Sequence, residues 1–521
     1  MPYTVIVRNI KTEFRQKQEI AYEKAEAVLK RAKIKGKNPY IYKRSTDSRN
    51  KERICFVYSI AFECENLPNV DFSALGISIE KDELEIPDSG TKRQDGRVVV
   101  CGFGPAGMFS AMLLAEAGYK PIVIEQGDTV RVRREKVEKF FATGKLDLSS
   151  NIQFGAGGAG TFSDGKLITR ISDPACRYVF KRLCEFGAPD EIMYDAKPHI
   201  GTDKLLCIVE GITEYIKKLG AEVYFNTKLT GIKKENGHIS SLKTTSGEIK
   251  CSVLIAAIGN SARETYAYLI GEGYFLEKKP ISVGVRIEHK REDVDRAMYG
   301  RFAGHELLGA APYNYSKRVN NRGVYTFCMC PGGEVVGATS QQGCVVTNGM
   351  SEYKRDKENS NSAVVVEVSP DNPLEYQNEL ERLAFALGGG EYYAPCQSVG
   401  DFLDGRNGRL PNRIKPTYMN GRVRSADLNK LFSSDITQML KLGITSFDKS
   451  QSGFAVRDAL LTGAETRTSA PYRIVRGEDL CAVGVDNLYP CGEGAGYAGG
   501  ITSAACDGLR IACEVIKKYE K

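Results

Sequence analysis

Gly102, Gly104 and Gly107 stand in G-x-G-x-x-G spacing, and Glu125 follows about 20 residues on. Together they suit one task, holding the pyrophosphate of a dinucleotide. Gly102 permits a tight strand-to-helix turn, Gly104 lets backbone approach the phosphates, and Gly107 lets the helix pack close. The partial positive charge of the helix N-terminus then faces the anion, and Glu125 can accept two ribose hydroxyls. The motif leaves NAD and FAD open. A second reactive stretch is residues 155–167, GAGGAGTFSDGKL, whose small residues predict a loop. There Lys166 can orient a carboxylate or offset negative charge, and Asp164 and Ser163 can hydrogen-bond a substrate. The alternative is a backbone-only phosphate loop with its polar side chains in water. Cys328 and Cys330 would share one face of an extended strand, too close along the chain for an easy disulfide, and fit a redox thiol or core packing. His199 could be a general acid or a structural hydrogen-bonding group. No His, Asp or Glu cluster has metal-ligand spacing, so no metal is expected.

These residues need elements to position them. Val98 to Val100 read as a buried strand; an apolar helical pattern follows, with Gly118 as its C-cap, and a second strand spans 121–124. Residues 98–115 are charge-free and apolar, but three glycines and a proline argue for the turn rather than a membrane span. A helix near 204–219 precedes a predicted three-strand meander at 222–233, 238–245 and 248–258, turning at Asn236-Gly237 and Ser246-Gly247. The last element is a helix over 503–518.

The chain has 521 residues, enough for two or three domains, and 42% apolar with 26% charged residues indicates a globular protein. The N-terminus has no apolar signal-peptide region, and no other stretch would span a bilayer. Fifteen cysteines are dispersed without a C-x-x-C, which fits a reducing cytoplasm; Cys55, Cys101, Cys207, Cys251 and Cys513 read as small buried hydrophobes. Residues 1–60 hold 15 Lys/Arg against 6 Asp/Glu, a net +9, so the chain's excess of +7 arises in this module and the rest sums to −2. That module reads as strand 3–10, helix 18–34, strand 40–43 and strand 54–64, a βαββ unit of ferredoxin-like type. The polar stretch 83–97 reads as a linker.

Two further segments, "VLIAAIGNSAR" and "NLYPCGEGAGYAGGITSAACDGLRIA", each run a strand into glycines. With the opening motif, this order resembles the glutathione-reductase-like FAD fold of the second subtype. The resemblance implies FAD, held non-covalently by Gly102, Gly104, Pro105, Ala106, Gly107, Glu125, Gln126, Gly158, Leu229, Ala257, Gly259, Gly492, Glu493, Gly500, Ile501 and Thr502. Leu229 would back the adenine. Glu493 stands where Asp is usual, near the ribityl-pyrophosphate, and the final helix N-terminus would point at the pyrimidine edge. Arg133 sits where related flavoproteins place a phosphate-facing Arg, and its planar fork suits that role; the alternative is an exposed charge in the run Arg131, Arg133, Arg134 and Lys136.

Segments including "NIQFGAGGAGTFSDGKL", "PHIGTDKL", "FCMCPGGEVV" and "ETRTSAPYRI" resemble a bacterial and archaeal family of FAD-dependent dehydrogenases, departing at Ala156 where Glu is expected. The expected fold is α/β with α+β modules attached: a ferredoxin-like domain over 1–90, a Rossmann-like FAD domain over 95–279 and 481–521, and an inserted mixed α+β cap over 280–480. The expected reaction is hydride transfer between flavin N5 and an unidentified small molecule, with NAD(P)H as a possible transient donor or a carrier protein supplying electrons. The alternatives are a flavin-dependent RNA-modifying enzyme using the basic module, although that module lacks the aromatics of RNA-binding strands, and a non-catalytic flavin electron relay.

Overall fold

The computed structural model describes residues 3–67, 72, 74–80, 84–169, 173–319, 321–408 and 410–521. The basic module comprises β1 (Tyr3–Glu13), α1 (Glu19–Arg31), β2 (Lys37–Asp47), β3 (Cys55–Cys64) and β4 (Ile77–Glu80), in an antiparallel sheet of order β2-β3-β1-β4. Ala21, Ala25 and Leu29 are the buried stripe of α1. The helix ends earlier than its pattern indicated, and Lys33 beyond it takes a positive φ of 58°. β4, four residues long, carries too short a pattern to be read from sequence. Phe14 meets Phe302 edge-on at 5.2 Å, so this module shares a hydrophobic cluster with residues past 280.

The second unit begins with β5 (Arg97–Cys101), α2 (Pro105–Glu116), β6 (Ile122–Ile124) and α3 (Val130–Thr143). Ten of the twelve α2 residues are buried, because this helix lies between the sheet and the C-terminal helix Ile501–Lys518. The packing is close: a Cβ on Gly508 would lie 2.2 Å from the Ala106 carbonyl oxygen. The sheet continues with β7 (Glu222–Tyr224), β8 (Leu229–Glu235), β9 (His238–Thr244) and β10 (Gly247–Ala256), in the order β7-β6-β5-β10-β9-β8. β10 does two jobs. Its first residues pair antiparallel with β9, and its last run parallel to β5 and to the late strand Leu488–Pro490. The tail of the chain thereby completes the first sheet.

The expected strand over 222–233 is two strands. Asn226 takes φ 54° and its N–H bonds Gly127 O, while Thr227 N–H bonds Glu125 O. This breaks the run, leaving β7 at one sheet edge and β8 in the meander. The turns at Asn236-Gly237 and Gly247 have positive φ, as hairpin turns require.

Residues 280–480 carry a seven-stranded sheet ordered Ser316–Val319, Arg322–Cys330, Asn359–Val368, Ile281–Lys290, Leu460–Glu465, Ala394–Ser398 and Val423–Ser425. The described part of the expected linker is tied to the C-terminal helix, through Gly90 N–H to Ile516 O (2.8 Å) and Gln94 to Glu520 O (2.8 Å); residue 83 lies outside the described residues. Cys101 and Cys251 are buried, Cys55 and Cys513 half-buried, and Cys207 is exposed, against expectation, on the outer face of the helix Thr202–Lys218. Among the described residues no helix is long and apolar enough to cross a membrane.

Candidate functional site

The chain leaves β5 through Gly102, whose φ is 98° and whose hypothetical Cβ would lie 2.2 Å from Ala257 O. A Cβ on Gly107 would lie 1.9 Å from Gly102 O, which explains the glycine there. A Cβ on Gly104 would meet only Gly158 Cα, at 3.7 Å, so this residue opens onto a cavity. Glu125 closes the turn: Oε2 accepts Phe103 N–H, and Oε1 accepts Gly127 and Gly155 N–H, each at 2.9 Å. Three of about four acceptor positions are used, leaving one for a ligand hydroxyl.

The cavity holds about 370 Å³. Gly102, Gly104, Pro105, Ala106, Glu125 and Gln126 form one wall, Gly158, Leu229, Ala257 and Gly259 another, and Glu493, Gly500 and Ile501 a third. Among the described residues no side chain caps the N-terminus of α2 or of the helix Ile501–Lys518. Two helix ends with free N–H groups thus open on one cavity, an arrangement that fits a dinucleotide phosphate and a second electron-rich group. Asn260 Nδ2 donates to Glu493 Oε1 at 2.7 Å. Burial nevertheless pushes the Glu493 carboxyl up to about 7, opposed by Asn260 and Lys279.

Four expected residues lie off this surface. Gly107 packs inside α2. Gly492 donates its N–H to Asp507 Oδ2 at 2.7 Å, and Thr502 Oγ1 donates to Leu167 O at 2.8 Å; both fix the cavity floor from behind. Arg133 is a correction. Its guanidinium is fully buried and donates to the carbonyls of Asn151, Ile152, Gly155 and Ala156 at 2.6–3.2 Å, while it lies over the Phe162 ring. A loop with four inward carbonyls needs a planar donor fork, and that demand outcompetes a phosphate-facing role.

The 155–167 loop brings the reactive candidates together. Ser163 and Asp164 line the cavity beside Lys166. Ser163 is engaged locally, donating to Gly160 O and accepting Gly165 N–H. Asp164 receives Arg355 at 2.8 and 2.5 Å and Lys166 Nζ at 2.9 Å. Burial would raise its pKa, but Lys166 and Arg355 hold it down to about 2. Burial likewise opposes the Lys166 charge, and Asp164 with Cys330 and Cys328 outweighs it, so the ammonium persists. Cys330 is buried 4.0 Å from Lys166 Nζ, whereas Cys328 lines the cavity.

His199 does not reach the cavity. Its Nε2 bonds Tyr353 O at 2.9 Å and its ring stacks on Tyr353 at 5.4 Å. Burial and then Arg355 push it down to about 4, so it is neutral and engaged, unlike a general acid.

Sequence reading missed the far wall, where Phe327, Asn348, Arg467 and Thr468 join Cys328. Arg467 and Arg263 both bond the buried Glu381, at 2.9 and 2.7 Å, leaving one positive charge in excess. Arg467 lies in "ETRTSAPYRI", so its position was in view; its partner Glu381, 86 residues away, was not. Among the described residues no cluster could hold a metal ion.

A family model described as FAD-dependent protein, C-terminal domain-like, matches residues 280–468. An uncharacterized protein of Clostridium beijerinckii is 47% identical over 493 residues, 92% of each chain. Among solved structures, glycine oxidase from Bacillus cereus is 10% identical over 81% of this chain and 95% of its own, with a TM-score of 0.31. L-amino acid deaminase from Proteus vulgaris is 12% identical over 84% and 96%, with a TM-score of 0.34. CtdE in complex with FAD is 14% identical over 80% and 84%, with a TM-score of 0.33. The identity across nine-tenths of both chains means that this chain belongs to the family of the Clostridium beijerinckii protein; its residues 280–468 match the FAD-dependent C-terminal domain, and FAD is its cofactor.

Proposed function

We propose that the chain is an FAD-dependent oxidoreductase, a dehydrogenase moving a hydride equivalent between the flavin and a small organic substrate that carries a carboxylate. One observation carries this reading: residues from the first, middle and last thirds of the chain line a single cavity. Bound FAD supplies reversible two-electron chemistry at its isoalloxazine ring. The free N–H groups at the start of α2 hold the pyrophosphate, Glu125 the ribose, and the start of the helix Ile501–Lys518 offsets negative charge at the ring. Lys166, kept charged and oriented by Asp164, faces the same space. Arg467, in a wall with one excess positive charge, pins the substrate carboxylate. Glu493 holds a proton near neutral pH and can donate it in a hydrogen bond.

In this reading the FAD unit spans 95–279 and 481–521, in the glutathione-reductase-like second subtype, and 280–480 is an inserted cap. Parallel pairing of β10 with both β5 and Leu488–Pro490 supports that division. The strand order β2-β3-β1-β4 supports a ferredoxin-like domain over 1–90. Fifteen free cysteines fit the cytoplasm.

The test is anaerobic mixing of the FAD-loaded protein with a panel of small amino, hydroxy and keto acids, following the oxidised-flavin absorbance. Bleaching by one of these, with KM raised at least tenfold in Arg467→Lys and kcat little changed, is expected. Reduction or reoxidation only by quinones or carrier proteins, with no organic compound turned over, would overturn the reading.

A further inference from the structure

We propose that Cys328 and Cys330 form a thiol–disulfide couple that exchanges two electrons with the FAD held in the same cavity. The proposal rests on the ring lying at the Ile501 end of the cavity, as in the reading above. Cys328 lines the cavity and Cys330 is buried directly behind it. The strand they occupy is not regular. Phe327 pairs with Ala363 and Cys330 with Asn361, so Cys328 and Met329 stand opposite Ser362 alone, and Cys328 takes φ 44°. Such a bulge re-aims a side chain, and a non-glycine residue held at that φ is a mark of functional sites. Cα atoms two residues apart lie at most about 7 Å apart, so a disulfide can close between them, and the strain of so small a ring, which makes it no easy structural bridge, leaves it readily reduced, as an exchanging couple requires. The Cys330 thiol turns back on the same segment, donating to Cys328 O at 3.4 Å.

Charge around the sulfurs leaves room for one thiolate. Cys330 Sγ lies 4.0 Å from Lys166 Nζ and 3.9 Å from Arg286 Nη2, which also donates to Cys328 O at 2.5 Å. Arg286 pairs with Glu465 at 2.8 Å, and Lys166 and Arg355 share Asp164. Three cations therefore meet two carboxylates, and one negative charge is missing. The pair supplies it: Lys166 and Arg286, beside Cys330 Sγ, favour one thiolate on the two cysteines taken together, the second sulfur keeping its proton.

Contact with the flavin end is through one strip of chain. A Cβ on Gly160 would lie 3.0 Å from Ile501 Cγ1, Thr502 Oγ1 donates to Leu167 O, and Lys166 between them touches Cys330. In the step, one thiolate and one thiol of the pair become a disulfide: one S–S bond forms and one S–H bond breaks. Its proton and the two electrons convert oxidised FAD to the anionic reduced form. The reverse step restores the dithiol.

The experiment is a dithionite titration of the FAD-loaded full chain without oxygen, paired with acid quenching, N-ethylmaleimide labelling and mass mapping. Wild type should take up four electrons per FAD, and Cys328→Ser and Cys330→Ser two each. The peptide carrying both cysteines should be unlabelled when oxidised and doubly labelled when reduced. Should one serine variant lose FAD, the other variant and the wild-type labelling decide. Uptake of two electrons by wild type, with both thiols labelled throughout, overturns the couple alone. Protein that takes up no FAD overturns the couple together with the proposed function.

Discussion

The Glu125 carboxylate accepts the backbone N–H of Gly155 at 2.9 Å, joining the end of β6 to a loop thirty residues further on. Its other oxygen holds Phe103 in the glycine turn. One side chain thus sets the spacing between the glycine turn and the loop that line the same cavity. In Glu125→Gln an amide NH₂ faces backbone donors. FAD affinity should fall about tenfold or more, since hydrogen bonds to charged groups contribute about 1.5–3 kcal/mol each. Fluorescence titration of the flavin checks this; an unchanged Kd contradicts it.

Gly107→Ala places a methyl 1.9 Å from Gly102 O, whereas a Cβ on Gly499 meets nothing within 4 Å. The first substitution should cost about 1–3 kcal/mol of stability, as overpacking does, and weaken FAD binding. Gly499→Ala should leave stability unchanged. Urea unfolding of both variants tests the contrast, and equal midpoints would be against it.

Arg133 separates a structural role from a phosphate role. Lysine keeps the charge but not the fork that serves four carbonyls. Flavin-free Arg133→Lys should therefore lose stability by roughly 2–3 kcal/mol, from carbonyls left unpaired. A variant of normal apo stability that only binds FAD weakly would restore the phosphate-facing role.

Glu493 gives the fold a pH dependence. Its folded pKa of about 7 lies above the ordinary 4.5, so the folded protein holds the proton more tightly than the unfolded chain does. The associated stability is fully present below about pH 4.5 and is lost as pH rises through 7, by up to about 3 kcal/mol. Glu493→Gln should abolish that loss in the flavin-free protein. Denaturation curves at pH 5 and pH 8 that shift equally in both proteins would refute it.

The glycine-turn wall of the cavity was legible because its signals are local. Gly102, Gly104, Gly107 and Glu125 lie within 24 residues, and each has a backbone reason for its identity. The late glycines were legible for the same reason. What stayed hidden was long-range. Arg133 suited a phosphate until the carbonyls of 151–156 appeared around it, and for His199 the choice between general acid and structural hydrogen-bonding group waited on Tyr353, 154 residues away. The bulge at Cys328 depends on pairing with Ser362 and Ala363, which no strand pattern encodes. The split at Asn226 likewise follows from bonds to Glu125 and Gly127.

The central claim is that three distant segments close on one FAD, and hydrogen exchange with and without FAD tests it most directly. Added FAD should slow exchange together at 102–107, 257–261 and 499–504. Protection confined to 102–107, or none at saturating FAD, would contradict the account.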